Sequence, residues 1–268
     1  MTERVTIELR DGVADVRLNR ADKMNAIDDA MFQALVDAGD RLKRERGLRA
    51  VVLSGEGRAF CAGLDMGRMG QMTETAPDGK PVWRSLGLRS HGIANRAQYA
   101  VWVWREVPVP VIAAVHGVAF GGGFQIMLGA DMRYVAPGTK LSIMEIKWGL
   151  VPDMAGTQLL RHLVRDDIAR ELTYTGRIFS PEEALAYGIA TRICEDPRQA
   201  ALEVAREIAG KSPDAIRAAK RLHNAARLIE VQAGLVQEAI EQEALIGSPN
   251  QIEAVRANIE QRPPRFTD

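Results

Sequence analysis

Val51-Val-Leu-Ser-Gly-Glu-Gly-Arg-Ala-Phe-Cys-Ala-Gly63 and Val111-Ile-Ala-Ala-Val-His-Gly-Val-Ala-Phe-Gly-Gly-Gly123 are two copies of one thirteen-residue pattern, sixty positions apart. Five identities fall in register: Val51/Val111, Gly57/Gly117, Ala59/Ala119, Phe60/Phe120 and Gly63/Gly123. Each copy reads as a short apolar strand, a glycine turn, an Ala-Phe step and a run of very small residues. Side chains this small let the backbone approach a ligand with its N–H groups aimed at an acceptor. The register also pairs Ala62 with Gly122. Two such strand exits can bring two amide donors to one oxygen, which is the geometry of an oxyanion hole. Taken singly, each exit is equally a tight turn in a repeated unit; the shared register favours the pair of donors.

Outward from the repeat, Val5 to Leu9 and Val13 to Leu18 alternate around Asp11-Gly12 and predict a β-hairpin. Asp28 or Asp29 caps a helix to about Arg46, with Met31, Leu35 and Leu42 facing inward. Thr75-Ala-Pro-Asp-Gly-Lys-Pro reads as a turn, and a helix is expected from about Leu88 to Glu106, stopped before Pro108. Another helix is expected after Gly123, with strands at Met132 to Val135 and Ala190 to Cys194. From about Ser180 the pattern turns helical, with a long run from Pro213 to about Ile246 and a last helix from Pro249 to Gln261. The fold class is α/β, with a catalytic core over 1–196 and a helical region over 197–268.

Composition narrows the function. The 268 residues suit one sizeable domain, and 35 basic residues balance 35 acidic ones, so no nucleic-acid surface is indicated. No stretch is long and apolar enough to span a bilayer, and the start lacks a secretory pattern, so a cytoplasmic protein is expected. Cys61 and Cys194 have no metal-type spacing, and His91, His116, His162 and His223 are scattered, so no metal site is expected. No dinucleotide fingerprint, phosphate loop or G-x-S-x-G elbow is present.

Glu145 and Asp153 flank Ile-Lys-Trp-Gly-Leu-Val-Pro, an apolar segment broken by Gly149 and Pro152. If the chain doubles back there, two carboxyls face one cleft, where desolvation would raise their pKa values and suit them to proton transfer. The competing readings are a solvated helix residue for Glu145 and an N-cap near Met154 for Asp153. Gln125 lies three residues after Gly122, on the same helical face, able to hold water or substrate or to satisfy a buried site. Met66, Met69 and Met72 at three-residue spacing, with Trp83, Trp102 and Trp104, could line a hydrocarbon channel or simply be core.

Arg58-Ala-Phe-Cys-Ala-Gly-Leu-Asp65, His116-Gly-Val-Ala-Phe-Gly-Gly-Gly123 and Gly149-Leu-Val-Pro-Asp-Met-Ala-Gly-Thr157 resemble the signature blocks of the crotonase superfamily, the enoyl-CoA hydratase/isomerase family. Ala21-Asp-Lys-Met-Asn-Ala26 and Pro263-Pro-Arg-Phe266 support the likeness, which covers essentially the whole chain. It implies a crotonase-type spiral of ββα units, with C-terminal helices that build trimers or dimers of trimers, and an acyl-CoA substrate. Coenzyme A is then part of the substrate, and no separate cofactor is expected. By resemblance, the amides of Ala62 and Gly122 hold the thioester oxygen, while Lys23, Met24, Ala26, Leu64, Asp65 and Met66 cradle coenzyme A. Arg262 or Arg265 would reach its phosphates. The family's hydratases carry glutamates at the positions of Gln125 and Glu145; its dienoyl-CoA isomerases carry acids at the positions of Gln125, Glu145 and Asp153. The favoured reaction is therefore double-bond isomerisation by Glu145 and Asp153. The alternatives are a 2-enoyl-CoA hydratase using Glu145 with a Gln125-held water, and a non-catalytic acyl-CoA-binding member.

Overall fold

Alternating apolar residues set the first hairpin: β1 (Val5–Arg10) pairs antiparallel with β2 (Val13–Leu18). The structure is a computed structural model that describes residues 3–72 and 86–268. β3 (Ala50–Gly55) adds to β2 in parallel, β4 (Val111–Val115) to β3, β6 (Met132–Val135) to β4 and β8 (Arg192–Ile193) to β6. The result is a six-stranded sheet in the order β1-β2-β3-β4-β6-β8. Parallel strands joined by crossovers must be covered on both faces, and β3 and β4 are accordingly apolar and buried.

A second layer grows from the strand exits. β5 (Val118–Phe120) pairs in parallel with β7 (Lys140–Ser142), and an isolated parallel bridge from Cys61 to Ala119 extends this small sheet to the first repeat. Each repeat thus leaves the large sheet, adds a short extended segment to the small one, and enters a helix. Those helices are α2 (Met66–Gln71) after the first copy and α4 (Gly122–Gly129) after the second. The glycines of the pattern are demanded by this stacking. A Cβ on Gly63, at φ +89°, would lie 2.6 Å from the Phe120 carbonyl oxygen, and one on Gly123 would lie 2.3 Å from that of Cys61. Each copy presses its glycine on the other copy's backbone.

α1 (Asp29–Arg44) starts at Asp28, whose carboxylate accepts the Met31 amide, and buries Met31, Leu35 and Leu42 as expected. The expected helix from Leu88 is shorter. α3 (Arg96–Glu106) begins only at an Asn95/Gln98 capping box, and Leu88 is exposed in the preceding turns. The turn expected at 75–81 lies outside the described residues, as does Trp83. Trp104 is fully buried in the core, and Trp102 packs partly buried against it.

The C-terminal half carries α5 (Gly156–Leu160), α6 (Asp166–Thr175), α7 (Pro181–Ala186) and α8 (Pro197–Ala209). Ala201 and Ala205 of α8 pack on Val13, Val52, Ile112 and Tyr134, the outer face of the large sheet. α8 therefore belongs to the core, and the helical appendage begins later than residue 197. The expected run from Pro213 to Ile246 is two helices, α9 (Pro213–Ala225) and α10 (Val231–Leu245). The chain folds back between them, so that Arg221 makes two bonds to Glu241, at 2.7 and 2.5 Å. α11 (Pro249–Ile259) closes the chain. Among the described residues, no helix is long and apolar enough to cross a membrane.

Candidate active site

The two strand exits meet, but with an offset the repeat register does not reveal. Extending the parallel bridge Cys61–Ala119 by three residues sets Leu64, not Ala62, opposite Gly122. The Ala62 amide is already used: it donates to the Met24 carbonyl at 2.9 Å. The expectation that Ala62 supplies a donor is therefore corrected. At Leu64, by contrast, the parallel bridge to Ile27 engages only the neighbours. Ile27 donates to the Gly63 carbonyl and Asp65 donates to the Ile27 carbonyl, leaving the Leu64 N–H pointing the other way.

Gly122 is the first residue of α4, so its amide is one of the donors a helix start leaves open. Among the described residues, the amides of Leu64 and Gly122 meet no acceptor. They are neighbours in space: a Cβ on Gly63 would sit 3.7 Å from the Gly122 nitrogen. Ile27 and Met154 wall this spot, their tips 2.9 and 3.0 Å from a Cβ built on Gly122. Phe124 to Gly129 are buried, which fixes α4 and hence the direction of its first amides.

Glu145 opens a 3-10 turn, Glu145–Trp148, and its carboxyl lies beside Gly121, 3.4 Å from where a Cβ would stand. It is buried at 9% exposure, which excludes the solvated reading. Its Oε1 accepts the Gln125 amide at 2.6 Å, while its buried Oε2 has no partner. Burial pushes the Glu145 pKa up; its own backbone amide and Gln125 oppose the rise, and the charge of Asp153 adds to it. Partial burial of its carboxyl likewise pushes the Asp153 pKa up, although the residue as a whole is exposed. Asp153 is not an N-cap: α5 starts later, at Gly156, after Ala155. The two carboxyls thus act on each other across the doubled-back segment.

Gln125 is a brace. Its Oε1 accepts the amides of Met154 at 2.8 Å and Gly156 at 2.9 Å, while its Nε2 holds Glu145. Both lone pairs of that oxygen are engaged, so the expected Gln125-held water is ruled out at the carbonyl. Of the methionine stripe, Met66 is exposed and Met69 half-buried.

The loop expected to cradle coenzyme A is held by residues that sequence reading passed over. Asn25 takes a left-handed backbone, φ 55°, and its amide nitrogen reaches the carbonyls of Glu56, Ala59 and Phe60. The Cys61 thiol donates to the Asn25 carbonyl at 3.1 Å, and burial pushes its pKa up to about 12, so it is no nucleophile. Arg20 ties the Ala26 carbonyl to Asp65 at 3.0 and 2.7 Å. Burial opposes it, but the Arg20 bond and the Gly67 and Arg68 amides hold Asp65 below the usual carboxylate range. Lys23 is exposed, and so is Met66. Arg262 is engaged by Glu253 and Glu260, and the Arg265 amide by Glu253. The buried Asn25 and the polar Arg20, both just before or within an expected loop, were the signals available for these anchors.

The profile of the Enoyl-CoA hydratase/isomerase family matches residues 8–268. The mitochondrial methylglutaconyl-CoA hydratase of Mus musculus is 30% identical over 262 residues, covering 95% of this chain and 79% of that protein. The mitochondrial Delta(3,5)-Delta(2,4)-dienoyl-CoA isomerase of Homo sapiens is 36% identical over 213 residues, 78% of this chain and 64% of its own length. The crystal structure of an enoyl-CoA hydratase from Bacillus anthracis superposes with a TM-score of 0.87 at 28% identity, covering 98% of both chains. The expected α/β spiral is the fold this comparison returns.

Proposed function

The chain belongs to the enoyl-CoA hydratase/isomerase family, and from that premise we propose that it moves a double bond in an enoyl- or dienoyl-CoA thioester. It is an enzyme of that family, whose relatives include both hydratases and isomerases. The observation that carries isomerisation is a pair of carboxyls with raised pKa values, buried Glu145 and exposed Asp153, beside two unengaged amides.

In this reading the Leu64 and Gly122 amides donate to the thioester oxygen. A base takes a proton from the carbon next to the unsaturation, and the electron pair moves onto that oxygen as an enolate. The enolate then collapses and the proton returns at a different carbon, from the other carboxyl. The substrate gains and loses one proton, so no co-reactant is needed. Glu145 Oε2, buried and unpartnered, is the oxygen positioned for one of these transfers. A pair of preorganised amides is worth about 2.7–4 kcal/mol per donor in the transition state, and positioned proton transfer about 10²–10⁴-fold. The Lys23–Ala26 loop with Asp65 and Met66 holds the coenzyme A portion in this reading, and Leu64 contributes its backbone.

A second reading, hydration of a 2-enoyl-CoA, is favoured by one observation: an unpartnered buried oxygen such as Glu145 Oε2 is a site a water would satisfy. A panel of 3-enoyl-, 3,5-dienoyl- and 2-enoyl-CoA, read by absorbance and mass, separates the two, because hydration adds the mass of water. Isomerisation without mass change is expected, with Glu145→Gln and Asp153→Asn each lowering kcat by about 10² or more. Rapid mass gain on 2-enoyl-CoA, with no isomerisation, would overturn it.

A further inference from the structure

A cavity of about 960 Å³ opens between α3, α5, α9 and the start of α10, and its wall carries a large excess of positive charge. Among the described residues only two acids line it, Glu106 and Asp131. Glu106 is taken by Lys43 at 2.6 Å, and Asp131 is shared by Arg105 and Lys220 at 3.3 and 2.9 Å. Four guanidinium groups on the same wall make no ion pair with an acid among the described residues. Arg89 bonds Gln98 and backbone carbonyls, Arg133 bonds the Ile189 and Ala130 carbonyls, and Arg161 bonds His162. Arg227 bonds nothing among the described residues. Burial and then Arg161, Arg227 and Arg105 hold the His162 pKa down; at Arg133 burial holds it down, Asp131 opposes, and Arg105 and Arg227 add to the fall. These cations line one cavity, an arrangement that like-charge repulsion disfavours unless an anion joins them.

The apolar part of the cavity lining comes from segments that also carry the site residues. Leu128 stands one helical turn beyond Gln125 on α4, and Ala155 stands two residues beyond Asp153, with Leu159 and Trp102 beside them. A cavity lined both by apolar residues from these segments and by guanidiniums that make no ion pair fits a chain that is hydrocarbon first and anionic last. Planar guanidinium groups are the preferred partners of carboxylates.

We propose that this cavity receives the distal end of the acyl group and that the substrate class is acyl-CoA thioesters bearing a second, remote carboxylate, bound by Arg161 and Arg227. This rests on the reading of Glu145 and Asp153 as the reacting groups.

The test compares pairs of unsaturated CoA thioesters matched in length, one ending in a carboxylate and the other in a methyl group. The carboxylate member should show at least about tenfold higher kcat/KM. The Arg161→Gln/Arg227→Gln variant, altered only at exposed positions, should lose that preference while keeping turnover of the methyl member. Equal kcat/KM for the pair, or a preference unchanged in the variant, overturns the proposal. Binding of the saturated analogues, measured by calorimetry, decides it even if the enzyme turns over neither member. Tighter binding of the carboxylate analogue, lost in the variant, supports the proposal; equal binding overturns it while leaving the catalytic reading to its own panel. A variant that changes sedimentation but keeps the preference would assign the arginines to an acidic side chain of a second copy, and would also overturn it.

Discussion

Glu145 gives one carboxyl oxygen to the Gln125 amide at 2.6 Å and keeps the other buried without a partner, so its charged form is poorly compensated. That cost has a measurable consequence for stability. The folded-state pKa is raised above the ordinary 4.5, so the folded protein holds a proton that the unfolded chain has already lost. Stability is then full below about pH 4.5 and declines as pH rises through the raised value. Glu145→Gln removes the titrating group and keeps an acceptor for Gln125. Its Tm should exceed that of the wild type at pH 8, with the gap closing toward pH 4.5, even as activity is lost. A variant no more stable at pH 8 than at pH 4.5, relative to wild type, would show that the carboxyl is well solvated. The pairing of Glu145 with Asp153 was legible, because the Gly149 and Pro152 breaks say that the chain turns back between them. The choice of Ala62 as donor was not. Equal position in a repeat says which residues are equivalent, whereas contact depends on how far one copy slides past the other, and here the slide is two residues.

At the scale of elements, that slide is locked by the two glycines pressed on opposite carbonyls. Because the obstacle at Gly123 is backbone rather than a flexible side-chain tip, Gly123→Ala has to push the two strand exits apart. Overpacking of this kind costs about 1–3 kcal/mol, and it would also move the Gly122 amide away from Leu64. The expected outcome is a lower midpoint in urea unfolding together with a fall in kcat larger than any change in KM. A midpoint loss with unaltered kcat would mean the two amides do not act together. The strands and α1 were readable because short apolar runs and an Asp cap act locally. The helix boundaries at Arg96 and between α9 and α10 were not. The first depends on a side-chain cap, Asn95, whose Gln98 partner does not stand out in a polar segment. The second has no glycine or proline to mark it: residues 226–230 turn because α10 gains contact by lying back on α9.

The largest unpaired surface of the molecule is α10, which has no buried residue and exposes Leu235, Val236 and Ile240. A helix in such a state is unusual for a monomer, since apolar side chains at this density are normally covered. The core boundary sharpens the point. Because α8 is bound to the sheet through Ala201 and Ala205, only the chain beyond it is available for docking, and α9 is itself anchored by Lys220 to the carbonyls of Trp104 and Val109. α10 thus lies on a fixed base with its apolar residues facing outward, as a subunit contact requires. We expect a homotrimer or a pair of trimers, with α10 in the interface, and the arginine-lined cavity next to it would then be completed near the seam. Val236→Glu with Ile240→Glu would bury two charges in that interface at several kcal/mol each if the contact formed. Sedimentation should report a shift to monomer for the double variant, with its far-ultraviolet dichroism largely kept because α10 carries no part of the core. An unchanged sedimentation coefficient for the variant would mean that α10 faces solvent in the assembly and that subunits meet elsewhere.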